Sequence, residues 1–300
     1  MADLSGDNRS GAAELLRQAA DVFARLRAGQ AKVADLTNAQ QAVVETAVAL
    51  IRAQPDMAPL ARLADSAFEA ARRASDADEA LRFAEQAARD FIARATRSAT
   101  QTAAHAVALI GDDTTVLTHS RSSTVLAAFQ QARRAGRRFR VIATESRPLM
   151  EGRALAEALA GEAVNVTFIA DTAAALMMPQ VACVIVGADG VTPDWLVNKI
   201  GTRMIALAAR ECGIKMIALC DTSKFIADRT AASEANRRCD ELWPDAPSPV
   251  EIVNRYFEPT PIGYFTGIVT EDGLLAPREV SRRAAQHPIS PALLAALGNA

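Results

Sequence analysis

The sequence has few cysteines, few aromatic residues and no long hydrophobic run. Its four cysteines show no Cys-x-x-Cys spacing, so the common zinc and redox motifs are absent and reduced thiols are expected. No apolar stretch approaches the roughly 20 residues of a membrane-spanning helix, and the polar start MADLSGD does not resemble a signal peptide. We therefore expect a cytoplasmic protein that has no membrane partner and binds neither a metal nor a cofactor.

The sequence also lacks an excess of positive charge and the usual phosphate-binding fingerprints. Its 33 basic and 35 acidic residues give a formal net charge of −2, which is against a general affinity for nucleic acid. Neither GxGxxG nor GxxxxGK[ST] occurs, so ordinary dinucleotide and P-loop chemistry is not expected.

The first hundred residues read as amphipathic helices. Gly11 to Leu26 places its apolar residues on one stripe and its charged residues largely outside it. The same pattern recurs in 38–52, 58–73 and 77–97, with polar or proline-containing breaks between them. Since no strand pattern intervenes, residues 1–100 are predicted to form an N-terminal helical domain.

From about residue 101 the pattern changes to strands that alternate with helices. This alternation predicts an α/β domain over 101–300, with a doubly wound parallel sheet of Rossmann-like type. The proline-rich stretch 229–259 is interpreted as a long loop. The predicted strands cover residues 114–118, 138–143, 164–170, 181–186, 215–219 and 264–270.

The stretch from Val181 to Ala209 is the best candidate for a site. A buried strand ends at Gly187, and Asp189 follows it, at the sheet edge where ligands of parallel α/β proteins bind. Asn198 and Lys199 are predicted to lie just before a new helix, whose free N–H groups attract anions. Lys224, after the next strand, is expected at the same edge.

Ser120, Arg121, Ser122 and Ser123 lie at another predicted strand-to-helix junction. Their hydroxyl and guanidinium groups are suited to hold a phosphate, although simple capping of the helix would explain the serines equally well. Asp189 and Lys199 could likewise be a turn residue and a solvated charge, but their joint placement favours a site. Both His105 and His119 are interpreted as structural, because two histidines without a third ligand do not make a metal site.

Several motifs, taken in order, resemble one superfamily. They are THSRSSTVL, VIATESRPLMEGRALAEAL, VIVGADGV, NKIGT, DTSKF and PTPIGYFTGIVTEDGLLAP, which span about 101–280. The superfamily contains the alpha, beta and delta subunits of translation initiation factor 2B, ribose-1,5-bisphosphate isomerase and methylthioribose-1-phosphate isomerase. The resemblance implies a helical domain joined to a Rossmann-like domain, a homodimer or larger homo-oligomer formed through the latter, and a pocket for a phosphorylated sugar or a nucleoside monophosphate.

The resemblance also implies roles for individual residues. Asp189 falls where the isomerases place their acid, Asn198 and Lys199 where they bind the sugar, and Lys224 in the segment of a ligand lysine. Two further matches are implied for substrate binding: Gly11 and Ala12 in an N-terminal phosphate loop, and Arg147 in the ESRP motif.

Three positions depart from the isomerase pattern. Ser120 replaces the catalytic cysteine of a Thr-His-Cys motif, and Ser10 replaces the arginine before the Gly-Ala pair, where the adjacent Arg9 is the candidate substitute. A second phosphate-binding arginine, expected near residues 57–59, is missing.

Two classes of function stay open at this point. The first is an aldose–ketose isomerase of a phosphorylated pentose, with Asp189 as proton donor and Ser120 in place of the thiol. An alcohol is far less acidic than a thiol, so Ser120 would need an adjacent base. The second is a non-catalytic protein that senses a sugar phosphate or nucleotide, as the alpha subunit of the initiation factor does.

Overall fold

The computed structural model describes residues 11–29, 35–227 and 237–299. The N-terminal part of the chain is helical, as the sequence predicts. Aspartates precede two of the helices and cap them: the Asp35 carboxylate accepts a hydrogen bond from the backbone N–H of Asn38, and that of Asp76 from Glu79. The helices are α1 (Ala12–Gly29), α2 (Leu36–Ala53), α3 (Ala58–Ala71) and α4 (Ala77–Ala106).

Helix α4 is longer than predicted, because its last turns are buried against the sheet. Ala103 and Ala106 pack with strand and helix residues of the α/β part, so the polar residues after Arg97 do not end the helix. Residue 100 therefore lies within α4, and the division of the chain into two domains at that position stays a prediction.

The second part is a sheet covered by helices on both faces. Its helices are α5 (Ser123–Arg134), α6 (Gly152–Gly161), α7 (Ala174–Met177), α8 (Thr202–Glu211), α9 (Pro277–Ala284) and α10 (Pro291–Asn299). The strands are β1 (Thr114–Thr118), β2 (Phe139–Thr144), β3 (Asn165–Ile169), β4 (Cys183–Val186), β5 (Gly190–Val191), β6 (Trp195–Lys199), β7 (Lys215–Leu219), β8 (Phe257–Pro261), β9 (Gly267–Thr270) and β10 (Gly273–Leu275).

Seven strands form the main sheet in the order β10-β9-β7-β4-β1-β2-β3. All neighbours are parallel except β10, which pairs antiparallel with β9. Successive residues of one strand enter different cores: Val116 packs on one face and Leu117 on the other. A helical N-terminal region followed by a mostly parallel α/β sheet is thus confirmed. Strands β1 and β4 lie side by side although two strands separate them in sequence, so the strand order reverses between them.

A second, three-stranded sheet with the order β5-β6-β8 was not predicted. The interpretation of 229–259 as loop is wrong for its end, because residues 257–259 belong to β8, which pairs antiparallel with β6. Pro259 and Pro261 hid this strand, yet β8 is an edge strand, where proline is tolerated because one side of the backbone needs no partner.

The C-terminal helix returns to the helical part of the molecule. Ile289 and Leu293 are buried in one cluster with Ala47, Ile51 and Phe68 of α2 and α3. This packing joins the segment after α9 to α2 and α3 and was not expected from the sequence.

Candidate functional site

A cavity of about 500 Å³ lies where β1 and β4 end, between the sheet and the helical part of the chain. This is the edge of the sheet, and the reversal of strand order, at which parallel α/β proteins bind ligands. Of the residues predicted for the site, the cavity wall contains Gly11, Ala12, Ser120, Arg121, Ser122, Asp189, Asn198, Lys199 and Lys224.

One predicted binding residue, Arg147, is not among the described residues of the cavity wall. Its guanidinium donates to the backbone carbonyl of Glu241 at 3.4 Å, and its backbone N–H donates to the Asp171 carboxylate. The loop that follows β2 turns the Arg147 side chain toward residues 239–241, and a role of Arg147 in substrate binding stays a prediction. Arg9 lies outside the described residues.

Ser120 is held in an unusual backbone conformation at the end of β1. Its φ of +69° is in the left-handed region, which carries a strain of order 1 kcal/mol for a residue other than glycine. Its backbone N–H donates to the Ser146 hydroxyl at 2.8 Å, and its own hydroxyl donates to Glu151 Oε1 at 3.1 Å. The Glu151 carboxylate therefore lies within hydrogen-bond distance of the Ser120 hydroxyl, at the position where the sequence predicts that a serine needs an adjacent base.

Ser122 caps helix α5, and the glycine after β4 makes room for it. The Ser122 hydroxyl accepts from the backbone N–H of Val125 at 3.3 Å, so the capping alternative holds for this residue. A Cβ atom on Gly187 would lie 2.6 Å from Ser122 Cβ and 2.7 Å from its Oγ. The absence of a side chain at Gly187 thus leaves room for the residue that caps α5.

The Gly187→Ala variant is expected to lose about 2 kcal/mol of unfolding free energy, because overpacking and a displaced helix cap each destabilise a protein. Urea denaturation would measure the loss. Gly161→Ala is the matched control, since a Cβ there meets nothing within 4 Å. Equal unfolding free energies for the two variants would show that the close contact between residue 187 and Ser122 does not affect stability.

Lys199 lies inside the protein with its ammonium group directed at Glu151. Its side chain is 2% exposed, and Nζ lies 2.8 Å from Glu151 Oε1 and 5.2 Å from the centre of the Tyr256 ring. The Tyr256 hydroxyl is in turn hydrogen-bonded to the Glu241 carboxylate. Lys199 and Ser120 therefore share one carboxylate oxygen, and the other one, Glu151 Oε2, is buried and has no hydrogen-bond partner among the described residues.

Asn198 and Lys199 lie just before helix α8, as the sequence predicts, at the end of a strand, β6, that was not predicted. They reach the cavity because β6 pairs with β5 directly after Asp189. The Asn198 amide donates to the Thr202 hydroxyl at 3.0 Å, which in turn donates to the Lys199 carbonyl at 2.6 Å. These bonds join the end of β6 to the start of α8.

Asp189 carries the perturbed carboxyl group of the site. Burial raises its pKa to about 6 from an ordinary 3.8, although the positive charges of Lys224 and Lys199 oppose the shift. Lys224 Nζ donates to the Ala188 carbonyl at 2.6 Å and so lies beside Asp189. A carboxyl group with a pKa near 6 can both give and take a proton near neutral pH.

The same pKa predicts how Asp189 affects stability. Its folded-state pKa is raised, so its contribution to stability is full below about pH 4 and is lost as the pH rises through about 6. Asp189→Asn imitates the protonated form and is expected to be more stable than the wild-type protein above pH 6, by at most about 3 kcal/mol. Urea denaturation from pH 4 to pH 8 would test this, and a stability difference that does not change with pH would contradict it.

The cavity is suited to an anion on one side. The first turns of α1 and α5 open into it, at Gly11 and Ala12 and at Ser122 and Ser123, and helix N-termini attract negative charge. Arg121, which is exposed, and Arg153, in the first turn of α6, add positive charge to the wall.

Sequence reasoning missed Glu151, Arg153 and Tyr256. The first two lie in the motif VIATESRPLMEGRALAEAL, but nothing in their spacing indicates that they face Lys199 or the cavity. Tyr256 stood in the stretch interpreted as loop.

His119 has the buried environment expected of a structural histidine: it is 1% exposed, and burial lowers its pKa. Its Nε2 lies 2.8 Å from the Ile200 carbonyl, so Nε2 carries the proton and Nδ1 accepts from the Thr144 hydroxyl.

The described residues also set limits on other kinds of site. No group of three or more His, Cys, Asp or Glu side chains among them is arranged to hold a metal ion. No helix within the described ranges is both long and apolar enough to cross a membrane.

Comparison with known proteins places these features in a family. The model of the Initiation factor 2 subunit family matches residues 8–277. Ribose 1,5-bisphosphate isomerase of Archaeoglobus fulgidus is 38% identical over 175 residues, which are 56% of this chain and 56% of that protein. The 5-deoxyribose 1-phosphate isomerase of Moorella thermoacetica is 35% identical over 196 residues, 58% of this chain and 55% of that protein. The chain thus matches these two isomerases over about half of their length.

Other relatives match over nearly the whole chain. An eIF-2B subunit 2-like protein of Pyrococcus horikoshii is 31% identical over 276 residues, 92% of this chain and 94% of that protein. The crystal structure of the translation initiation factor eIF-2B from Pyrococcus horikoshii OT3 superposes with a TM-score of 0.79 at 29% identity, covering 93% of this chain and 96% of that one. The 5-methylthioribose 1-phosphate isomerase of the same organism, at 23% identity and a TM-score of 0.71, covers 95% of this chain and 86% of that one and shares the fold. The chain belongs to the Initiation factor 2 subunit family.

Proposed function

We propose that the cavity binds a phosphorylated aldose and converts it to the ketose phosphate. The observation that carries the proposal is the convergence of a carboxyl group of pKa about 6, Asp189, with two lysines and an amide at the reversal of strand order. The similarity to isomerases of ribose 1,5-bisphosphate and 5-deoxyribose 1-phosphate supports a pentose 1-phosphate as the substrate.

The charge distribution supports a fixed orientation of such a ligand. Its phosphate would lie against the helix starts and the cationic side chains, where charge-assisted hydrogen bonds are strong. A sugar hydroxyl would donate to Glu151 Oε2, the buried oxygen without a partner. The sugar hydroxyl and Glu151 Oε2 would then each have a hydrogen-bond partner, as buried polar groups require.

The reaction needs a group that moves protons and one that holds the reacting hydroxyls. In the conversion, C2 loses its hydrogen and becomes a carbonyl while C1 gains a hydrogen, and the sugar ring has to open for this to occur. Asp189 is the proton carrier in this proposal, because its pKa allows both protonation states near neutral pH. Ser120 and Glu151, joined by their hydrogen bond, form the second acid–base pair, in which Glu151 supplies the basicity that a serine lacks.

One observation favours a second function, namely a non-catalytic sensor of a sugar phosphate or nucleoside monophosphate. Residue 120 is serine where the isomerase motif has cysteine, and an alcohol is a much weaker acid than a thiol. The same cavity would then bind its ligand without turnover.

A ligand screen followed by a product assay would separate the two functions. Thermal shifts with ribose 1,5-bisphosphate, 5-deoxyribose 1-phosphate, methylthioribose 1-phosphate and AMP identify the ligand, since a ligand of the native state raises the melting temperature. Ketose formation from the stabilising aldose phosphate supports the isomerase. Stabilisation without product after a long incubation supports the sensor, and a lack of any shift would contradict both.

We also propose that the chain forms a homodimer through the α/β part. Exposed hydrophobic side chains on β3, α7 and α8 support this: Phe168, Leu176, Met204 and Leu207. Light scattering would measure the oligomeric state, and a monomer at micromolar concentration would contradict the proposal.

A further inference from the structure

A second cavity, of about 550 Å³, lies on the opposite side of the turn that carries Lys224. Thr222 and Ser223 line this second cavity, whereas the ammonium group of Lys224 reaches Ala188 in the first one. The other walls come from α3, α4 and the segment after α9, and they include Arg62, Arg94 and Arg97. Neither the sequence motifs nor the proposed reaction uses these three arginines.

Within the described ranges, hydrogen bonds fix Arg62 through only one of the three nitrogen atoms of its guanidinium group. Nη1 donates to the carbonyls of Thr222 at 2.7 Å and Phe225 at 3.1 Å. The other two nitrogens of the group have no hydrogen-bond partner among the described residues. Arg62 is thus a rigidly placed donor with N–H groups still available, the condition under which a guanidinium group binds an oxyanion well.

The carboxylates of the second cavity form hydrogen bonds to other groups and no ion pair with its arginines. Asp65 accepts from the backbone N–H of Ser290 at 3.0 Å, and Glu271 accepts from the N–H of Thr222 at 3.0 Å and from its hydroxyl at 2.5 Å. None of the three arginines has a carboxylate within 4 Å among the described residues, whereas most of the ion pairs elsewhere in the molecule are formed by arginine.

The positive charges also act on one another. The pKa of Arg62 is lowered, chiefly by burial, which Asp65 opposes, and the charge of Arg94 lowers it further. Asp65, Asp221 and Glu271 offset part of this positive charge without forming an ion pair with Arg62. An anion bound among the arginines would relieve their mutual repulsion and also form hydrogen bonds.

We propose that this second cavity binds a phosphate dianion, free or as part of a small phosphorylated molecule. Its volume lies in the range of small-molecule sites, roughly 300–1,000 Å³. Planar guanidinium groups match phosphate oxygens two at a time, and the hydroxyls of Ser66 and Ser98 supply neutral donors around them. The site is distinct from the first cavity, so its occupancy does not depend on the proposed reaction.

Arginine-specific labelling with phenylglyoxal would test the proposal in the wild-type protein. Arg94 and Arg97 are exposed and should be modified readily, as should Arg89, which lies on the same helix outside the cavity. With inorganic phosphate as the probe, against sodium chloride of equal ionic strength, modification of Arg94 and Arg97 should slow at least threefold, as followed by mass spectrometry. Unchanged rates at these two residues, or equal slowing at Arg89, would overturn the proposal.

A variant distinguishes phosphate that is bound in the cavity from a general effect of the ion on the labelling of arginine. In Arg94→Gln, the phosphate concentration that half-protects Arg97 should rise at least fivefold, whereas in Arg89→Gln it should stay at the wild-type value. If that concentration were equal in the two variants, Arg94 and Arg97 would not bind the same phosphate ion. Ribose 5-phosphate in a parallel titration identifies the source: protection at a lower concentration than with inorganic phosphate assigns the cavity to an organic phosphate, and equal or weaker protection to the free ion.

Discussion

The Asp189→Asn variant is expected to form ketose phosphate at least 100-fold more slowly than the wild-type protein. General acid–base catalysis typically contributes a factor of about 10²–10⁴, and an amide can neither accept nor release the proton. Binding of the aldose phosphate should be retained or tightened, because the substitution removes a carboxylate near the ligand phosphate. The effect should therefore appear in kcat and not as a raised KM.

Asp194→Asn is the matched control for this experiment. Asp194 is an exposed aspartate in the turn between β5 and β6, close in sequence and outside the cavity wall. Its substitution should leave turnover within about twofold of wild type. Turnover of Asp189→Asn within tenfold of wild type would show that another group carries the proton.

The Lys199→Met variant is expected to weaken binding of the sugar phosphate about 100-fold and to destabilise the protein. The side chain of Lys199 is 2% exposed, so its loss leaves Glu151 beside an apolar group in the protein interior. Removing one partner of a buried ion pair costs about 3–5 kcal/mol, and the 22% exposure of Glu151 places the expected loss of stability at the lower end, near 3 kcal/mol. Titration calorimetry and urea denaturation would measure the two effects.

Two further variants separate the loss of charge from the loss of structure. Lys215→Met removes an exposed lysine from the start of β7 and should change neither binding nor stability. Adding Glu151→Gln to Lys199→Met should restore part of the stability, since no unpaired carboxylate then remains, but not the affinity. If Lys199→Met alone bound the ligand within threefold of wild type, Lys199 would not be a phosphate or sugar contact.

Strand ends were the part of the site that sequence reasoning located well. Asp189 and Lys224 each follow a run of apolar residues, and parallel strands bring their carboxyl ends to one edge whatever lies between them. The predicted strand over 215–219 agrees with β7, because a short apolar run between Lys215 and Asp221 leaves little freedom.

The sequence did not predict which side chains from different helices, strands and loops would come into contact. Glu151 lies 48 positions before Lys199, and only the fold brings the start of α6 and the end of β6 together, so that the two side chains are 2.8 Å apart. Arg147 shows the converse: it stands in a matching motif, yet the loop after β2 turns its side chain to the Glu241 carbonyl. A motif limits which residues are near a strand end, whereas the direction of each side chain depends on loop geometry that has no periodic signature.

The return of α10 to α2 has a consequence for how the fold holds together. Ile289 and Leu293 close the outer side of a cluster that otherwise consists mostly of alanine, valine and isoleucine from α2 and α3. Burying two such side chains contributes about 1.5–3 kcal/mol each. Helices α2 and α3 therefore depend for part of their burial on residues that follow every strand of the main sheet in sequence, so a change near α10 would uncover a layer that lies far from it along the chain.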